Sequence, residues 1–334
     1  MIQDLKVTVA VPIYGVEAYI ERCATSLFEQ TYENIEYIFV NDCTKDNSLR
    51  LLEKVMEKYP NRKPQVKIIN HRVNRGLGAA RNTALEYASG EFIMWVDSDD
   101  YIHKETVEKC CCNQHLTNAD IISFGCYILS QNQTKRLHIA VYDNPIEFSL
   151  ALFMRKTHGA VWGRLIRKQL YLDHNIRVKE GINMGEDFQV MPRLSYFANS
   201  ISFIDEPLYY YDCSSASSYT NLYSKEKFTQ DWESFDIIKN FFAQFNHKYD
   251  KEIYLAELKV IITDFVFSAR YKDIDYYYHE SRKRLGQINR KYWSFYSIPE
   301  RLLLVLSRNR QIMSIYANVA TNIKHFIENF YYRR

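Results

Sequence analysis

A chain of 334 residues has room for two domains, and 47% hydrophobic against 25% charged residues is the make-up of a folded globular protein, not a disordered one. Its 43 basic and 40 acidic residues leave a formal charge of only +3, which excludes a general electrostatic case for nucleic-acid binding. Seven cysteines, three of them consecutive at Cys110, Cys111 and Cys112, fit neither a disulfide framework nor a paired zinc motif.

Along the chain, Val7–Ile13 is a short β-branched apolar run that predicts a buried strand. A helical pattern follows from Val16 to Phe28. Tyr37–Val40 predicts a second strand, running into Asn41 and Asp42. Asp46 or Asn47 can cap the next helix, which ends near Tyr59 before Pro60. Val66–Ile69 is a third strand, and Leu77–Ala88 a helix stopped by Ser89 and Gly90. Glu91–Val96 is a fourth strand, ending in Asp97-Ser98-Asp99-Asp100. This alternation predicts an α/β fold with a parallel sheet and right-handed crossovers.

From about Thr220 the strand signal fades and helical periodicity takes over, with aromatics such as Tyr271, Tyr276, Tyr277, Tyr278, Tyr292, Trp293, Phe295 and Tyr296 among lysines and arginines. The stretch Pro299–Arg334 is amphipathic; from residue 301 it sets Arg301, Arg308, Arg310, Lys324, Arg333 and Arg334 against Glu328. Such a stretch suits peripheral contact with an anionic membrane surface, or a helical cap with a solvated basic face. No apolar run approaches the roughly 18 residues a bilayer span needs, and the first residues carry no leader pattern, so the expected location is cytoplasmic, with the inner face of the cell membrane as the peripheral alternative.

Ligands of a parallel sheet bind beyond the carboxyl ends of its strands. Four polar groups fall there: Pro12-Ile13-Tyr14, Asn41-Asp42, the segment 74–82, and the acids at 97–100. Asp97 and Asp99 can share a divalent cation, since Mg²⁺ and Mn²⁺ take oxygen ligands and bridge to phosphates; the plainer alternative is a solvated acidic turn, with Asp100 capping the next helix. Asp42 can accept the imide N–H of a uracil or thymine, or satisfy nearby backbone N–H groups. The glycine-rich segment holding Asn74, Arg75, Gly76, Gly78, Arg81 and Asn82 matches neither a Walker loop nor GxGxxG, yet lets a backbone approach a ligand closely; Arg81 can meet an anion there or form a salt bridge. In Glu186-Asp187 the adjacent carboxylates repel, which raises a pKa and suits a base, although acid pairs at helix N-termini are common. Trp162 and Arg164 fit an acceptor platform or core packing, and His158 a phosphate contact or a structural role.

Assembled, these residues resemble the inverting glycosyltransferases of family 2, which have the GT-A fold: a Rossmann-like mixed sheet flanked by helices. The resemblance is carried by Val-Pro-Ile-Tyr-Gly at 11–15, Val-Asn-Asp-Cys-Thr-Lys-Asp at 40–46, the segment 74–82 and Asp97-Ser98-Asp99-Asp100. It continues more loosely through Trp162-Gly163-Arg164-Leu165-Ile166, Gly185-Glu186-Asp187 and Leu208-Tyr209-Tyr210-Tyr211. It implies a GT-A domain over 1–215, with 1–101 binding the nucleotide sugar and 102–215 forming the acceptor and catalytic half, followed by a helical region over 216–334. It further implies that Pro12 and Tyr14 border the base and Asp42 hydrogen-bonds it, and that Asn74, Arg81 and Ser98 help hold the donor. Asp97 would contact the ribose or metal and Asp99 would ligate Mn²⁺ or Mg²⁺, while Asp187 would be the general base beside Glu186.

Two positions depart from the family pattern. Asn41-Asp42-Cys43-Thr44 replaces the usual Asp-Asp-Gly-Ser, and Asp212 follows the tyrosines where an arginine often stands. The implied partners are a nucleotide-sugar donor, with UDP favoured, and a saccharide or lipid-linked acceptor in surface polysaccharide assembly. The competing readings are a sugar nucleotidyltransferase, whose glycine- and lysine-rich signature is absent from residues 1–16, and a non-catalytic nucleotide-sugar-binding protein, which would have lost one of Asp97, Asp99 and Asp187.

Overall fold

The computed structural model describes residues 5–130, 133–137, 140–213, 224–268 and 274–287, with isolated positions at 305, 309 and 311. In chain order the elements are β1 (Val7–Ile13), α1 (Ile20–Phe28), β2 (Ile35–Asn41), α2 (Ser48–Lys58), β3 (Val66–Asn70), α3 (Leu77–Tyr87), β4 (Phe92–Trp95), β5 (Tyr101–Ile102), α4 (Thr106–Thr117), β6 (Ile121–Ser130) and β7 (Gln133–Leu137). Then come α5 (Pro145–Phe153), β8 (Arg164–Arg167), α6 (Lys168–Asp173), α7 (Glu186–Phe197), β9 (Ile201–Asp212), α8 (Lys225–Ala243), α9 (Asp250–Ser268) and α10 (Ile274–Gln287). The elements expected in the first hundred residues are all present, within a few residues of their predicted ends.

Among the described residues the strands form one sheet in the order β3-β2-β1-β4-β8-β6-β9-β5, with β7 on β6. The first four strands are parallel. The sheet then turns mixed: β8 runs antiparallel to β4 and β6, while β6 and β9 are parallel. Pro12 is tolerated in a central strand because β4 pairs only as far as Ala10, so the missing N–H falls where that ladder has ended.

Strands covered on both faces read as continuous apolar runs, and their alternate residues feed separate cores. Val7, Val9, Val11, Tyr37, Phe39, Phe92 and Met94 pack with α1, α2 and α4 on one face. Ala10, Ile38, Val40, Ile93 and Trp95 pack with α3, α5 and α7 on the other. Fully burying a side chain of this size contributes roughly 1.5–3 kcal/mol. Cys110 and Cys111 are buried on α4, and all seven cysteines are free thiols.

The chain divides into two compact units. The first is Met1–Leu222 together with Gln230–Ile238; the second is Tyr223–Thr229 with Lys239–Arg334. The middle of α8 belongs to the first unit. Within the second unit, Lys239 Nζ meets the buried Glu257 carboxylate at 2.8 Å and Phe242 meets Tyr249 edge-on at 5.4 Å. Apart from the three isolated positions, the basic stretch 299–334 and the aromatics at 271, 292, 293, 295 and 296 lie outside the described residues. No described helix is long and apolar enough to cross a membrane.

Candidate active site

The loops after β1 and β2 are stitched together at the strands' carboxyl ends. Asp46 accepts hydrogen bonds from the Glu17 N–H at 2.9 Å, the Thr44 hydroxyl at 2.7 Å and the Ser48 N–H at 3.1 Å. It therefore caps α2 in place of Asn47, whose side chain makes no cap bond. Glu17 returns the contact by accepting from the Asn47 N–H and side-chain amide, both at 2.9 Å. Tyr14 stands beside this lattice, half exposed at the tip of β1.

Asp42 is buried. One of its carboxylate oxygens accepts from the Arg75 N–H at 2.8 Å and lies 2.7 Å from His71 Nδ1; the other accepts from the Gly76 N–H at 2.7 Å. These bonds tie Asp42 to the glycine loop and order it. Gly76 holds φ +87° there, and a Cβ would collide with the Asn183 side chain. His71, which the sequence did not single out, links Asp42 to the Thr83 hydroxyl at 2.9 Å. Asn74 stays exposed at the start of the loop.

The centre of the site is a charge cluster. Arg81, buried on α3, donates to Asp97 Oδ1 at 3.0 Å, to Glu186 Oε1 at 2.9 Å and to Asp187 Oδ1. Its terminal amines join three carboxylates from two distant segments. Burial works against its charge, but Asp187, Asp97 and Glu186 outweigh that and hold the guanidinium above its ordinary value. Burial and the neighbouring Asp187 charge push the Glu186 carboxyl up to about 7, and burial also raises Asp187, with Arg81 opposing. The pair sits in the first turn of α7, whose N-terminus follows Gly185 at φ +77°. That turn is favourable ground for negative charge.

The Asp97–Asp100 loop is held from the tyrosine-rich strand. The Asp97 N–H donates to the Tyr209 hydroxyl at 3.1 Å, Tyr209 donates to Asp100 Oδ2 at 2.7 Å, and the Asp212 N–H donates to Asp100 Oδ1 at 2.8 Å. Asp100 therefore anchors β9 and does not cap α4. Burial and the charges of Asp99 and Asp97 push it up to about 9. Asp99 is half buried; burial first, and then Asp97, push it up to about 6. Among the described residues no side chain donates to the Asp99 carboxylate, and Asp97 Oδ2 has no partner either. Two crowded, underpartnered carboxylates form an oxygen-only donor set of the kind hard divalent cations take. No third metal-binding side chain joins them among the described residues. Ser98, expected beside the donor, is buried between them and withdrawn from the surface.

Trp162 and Arg164 do not form an acceptor platform. Trp162 is buried, stacked on Tyr209 at 4.6 Å and on Tyr211 at 5.1 Å. Arg164 is buried and donates to the carbonyls of Ala160 and His158, the latter at 2.7 Å, so it folds the 158–162 loop over itself. That loop presents the Val161 N–H to Asp187. His158 packs 4.4 Å from Trp162; burial, and then the Arg164 charge, lower it to about 3, which makes it a neutral structural histidine.

The fold is that of solved glycosyltransferases of GT-A type. Staphylococcus aureus TarS 1–349 in complex with UDP aligns with a TM-score of 0.71 at 22% identity, covering 96% of this chain and 92% of that one. The mannosyltransferase PcManGT from Pyrobaculum calidifontis, in complex with GDP-Man and Mn²⁺, aligns at 0.50 and 15% identity, covering 99% and 88%. The sequence narrows the class: residues 8–174 match glycosyl transferase family 2, and the chain belongs to that family. It is 33% identical to EpsH of Bacillus subtilis, a protein carrying a glycosyltransferase name, over 74% of this chain and 72% of EpsH. It is 30% identical to the poly(ribitol-phosphate) β-N-acetylglucosaminyltransferase TarS of S. aureus, over 62% of this chain and 35% of that longer protein. The protein is a glycosyltransferase.

Proposed function

We propose that the chain transfers a sugar from a nucleoside diphosphate donor, UDP-linked by preference, to a hydroxyl of a saccharide or lipid-linked saccharide, with inversion, in the assembly of a bacterial surface polysaccharide. The observation that carries this reading is the meeting of Asp97 with Glu186 and Asp187 on one buried guanidinium. It puts a proton acceptor beside an acidic, oxygen-lined loop. The UDP and UDP-GlcNAc complexes of TarS support the donor class.

An acceptor hydroxyl is a weak nucleophile, and Asp187, raised by burial, is suited to take its proton as the oxygen attacks the anomeric carbon. The new C1–O bond forms as the bond from C1 to the phosphate oxygen breaks, and the nucleoside diphosphate leaves with the electron pair. One displacement with base and leaving group on opposite faces inverts the anomeric centre. Asp97 and Asp99 would hold a Mn²⁺ or Mg²⁺ ion through their carboxylate oxygens. When bound, that ion offsets negative charge on the departing diphosphate. Arg81 keeps the carboxylates of the base and of the loop in register, and the Tyr209–Asp100 bonds keep the loop from swinging away.

The test is donor turnover with UDP-, dTDP- and GDP-sugars, with and without Mn²⁺, on saccharide acceptors. Asp187→Asn should lose about 10²–10⁴-fold in transfer while still binding UDP. Near-normal transfer by that variant, or a product of retained anomeric configuration by NMR, overturns the reading.

A further inference from the structure

Asp99 poses a positioning problem. With no side chain holding its carboxylate among the described residues, its aim depends on its own backbone. The Asp99 carbonyl accepts a hydrogen bond from Arg22 Nη2 at 2.8 Å, and Arg22 lies 77 residues upstream on α1. The same Nη2 donates to the Asp212 carboxylate at 2.7 Å, and the guanidinium sits 4.6 Å from the centroid of the Tyr101 ring. Tyr101 in turn stacks on Tyr210 at 4.4 Å with the rings 5° from parallel. The arginine is therefore fixed by a nearly buried carboxylate on one side and an aromatic face on another, with its remaining strength directed at one carbonyl.

Asp212 is also the position where this chain departs from its family, which often places an arginine after the tyrosines. An acid there would add to the negative charge around Asp99, and it does help raise that carboxyl. Arg22 offsets this from the opposite element.

We propose that Arg22 and Asp212 form a brace in which Asp212 orients Arg22 and Arg22 sets the Asp99 backbone so that its carboxylate faces the cation–diphosphate site. Arg22 is a positioning residue in this scheme and touches no substrate. The inference rests on the reading that Asp99 serves a divalent cation bound with a nucleoside diphosphate. Groups that orient metal ligands typically matter about 10–100-fold in metal affinity.

The test is calorimetric and paramagnetic titration of the full chain with Mn²⁺ in the presence of UDP, without turnover. Arg22→Ala should weaken Mn²⁺ binding at least about tenfold, with a smaller change in UDP affinity measured without metal. Asp212→Asn should weaken it in the same direction, and the double variant should bind within about twofold of Arg22→Ala, because the two residues act as one unit. Arg22→Lys, which keeps the charge but not the planar fork, should recover part of the loss. Near-UV circular dichroism and thermal unfolding establish that each variant is folded. A folded Arg22→Ala that binds Mn²⁺ with wild-type affinity overturns the brace alone, as does strict additivity in the double variant. A wild-type chain that binds UDP but no Mn²⁺ overturns the cation reading and the brace with it.

Discussion

The two acid pairs of this site are built in opposite ways. Asp97 and Asp99 leave a strand end on a loop whose backbone is tied down by Tyr209 and Arg22, while the Asp99 carboxylate itself is left without a side-chain donor among the described residues. Glu186 and Asp187 begin a helix, and their carboxylates are tied directly to Arg81. A backbone-held acid with an open carboxylate is ready to receive an external cation. A side-chain-held acid pair, raised by burial, is ready to exchange a proton. The difference in what is fixed, backbone or carboxylate, separates the two chemical tasks.

That contrast can be broken or sharpened experimentally. The largest effect should come from Arg81→Met, which removes a cation common to both pairs and leaves three carboxylates facing each other. Breaking a buried ion cluster in this way costs about 3–5 kcal/mol, read as a fall in thermal or urea stability. A variant of unchanged stability would mean the pairs do not depend on their shared partner. Next, Asp99→Asn should lower Mn²⁺-dependent transfer by about 100-fold with little change in folding, since among the described residues no other side chain donates to its carboxylate. A large loss of stability there would show that the loop pair is structural after all.

The third effect is on pH. Asp100 at about 9, Glu186 at about 7 and Asp99 at about 6 all lie above their unfolded carboxyl values, so the folded chain binds more protons than the unfolded one across that range. Their contribution is full below about pH 4 and is lost as pH rises through 6, 7 and 9. The metal-free protein should therefore melt higher at pH 6 than at pH 8. Asp100→Asn should flatten that slope, and Mn²⁺ with UDP should stabilise more at pH 8 than at pH 6. A melting temperature that rises from pH 6 to pH 8 would contradict the assignment. The smallest effect concerns Cys43, which holds φ +60° where the family usually has glycine. Cys43→Gly relieves that left-handed strain and should be neutral or stabilising by up to about 1 kcal/mol, measured by denaturant midpoint.

The first four strands were legible because burial on both faces makes each an unbroken apolar run, and the glycine and acidic signals sit at their ends. The destination of Arg81 was not legible. Its partners Glu186 and Asp187 lie 105 and 106 residues away, and only the packing of α3 against the loop before α7 brings them together. Asp42 was ambiguous because an acid after a strand serves a ligand or a loop equally well in sequence; that it binds the backbone amides of Arg75 and Gly76 is visible only in the fold. Trp162 and Arg164 are flanked by Val161, Leu165 and Ile166, an apolar setting compatible with core packing as well as with an acceptor platform. Arg22 gave no signal, being one polar residue on the outer face of an amphipathic helix.

The middle of α8 has a practical consequence for anyone trimming this protein. Gln230 Oε1 accepts from the Asn183 and Met184 N–H groups at 2.9 and 3.1 Å, and the Ser234 hydroxyl donates to the Met184 carbonyl at 2.9 Å. These bonds prop the turn just ahead of Glu186. A fragment ending soon after β9 would carry every acid of the site and still lack the strut beneath its proton acceptor. Such a shortened enzyme would fail through a slack hinge, and the fault would be misread as a missing acceptor domain.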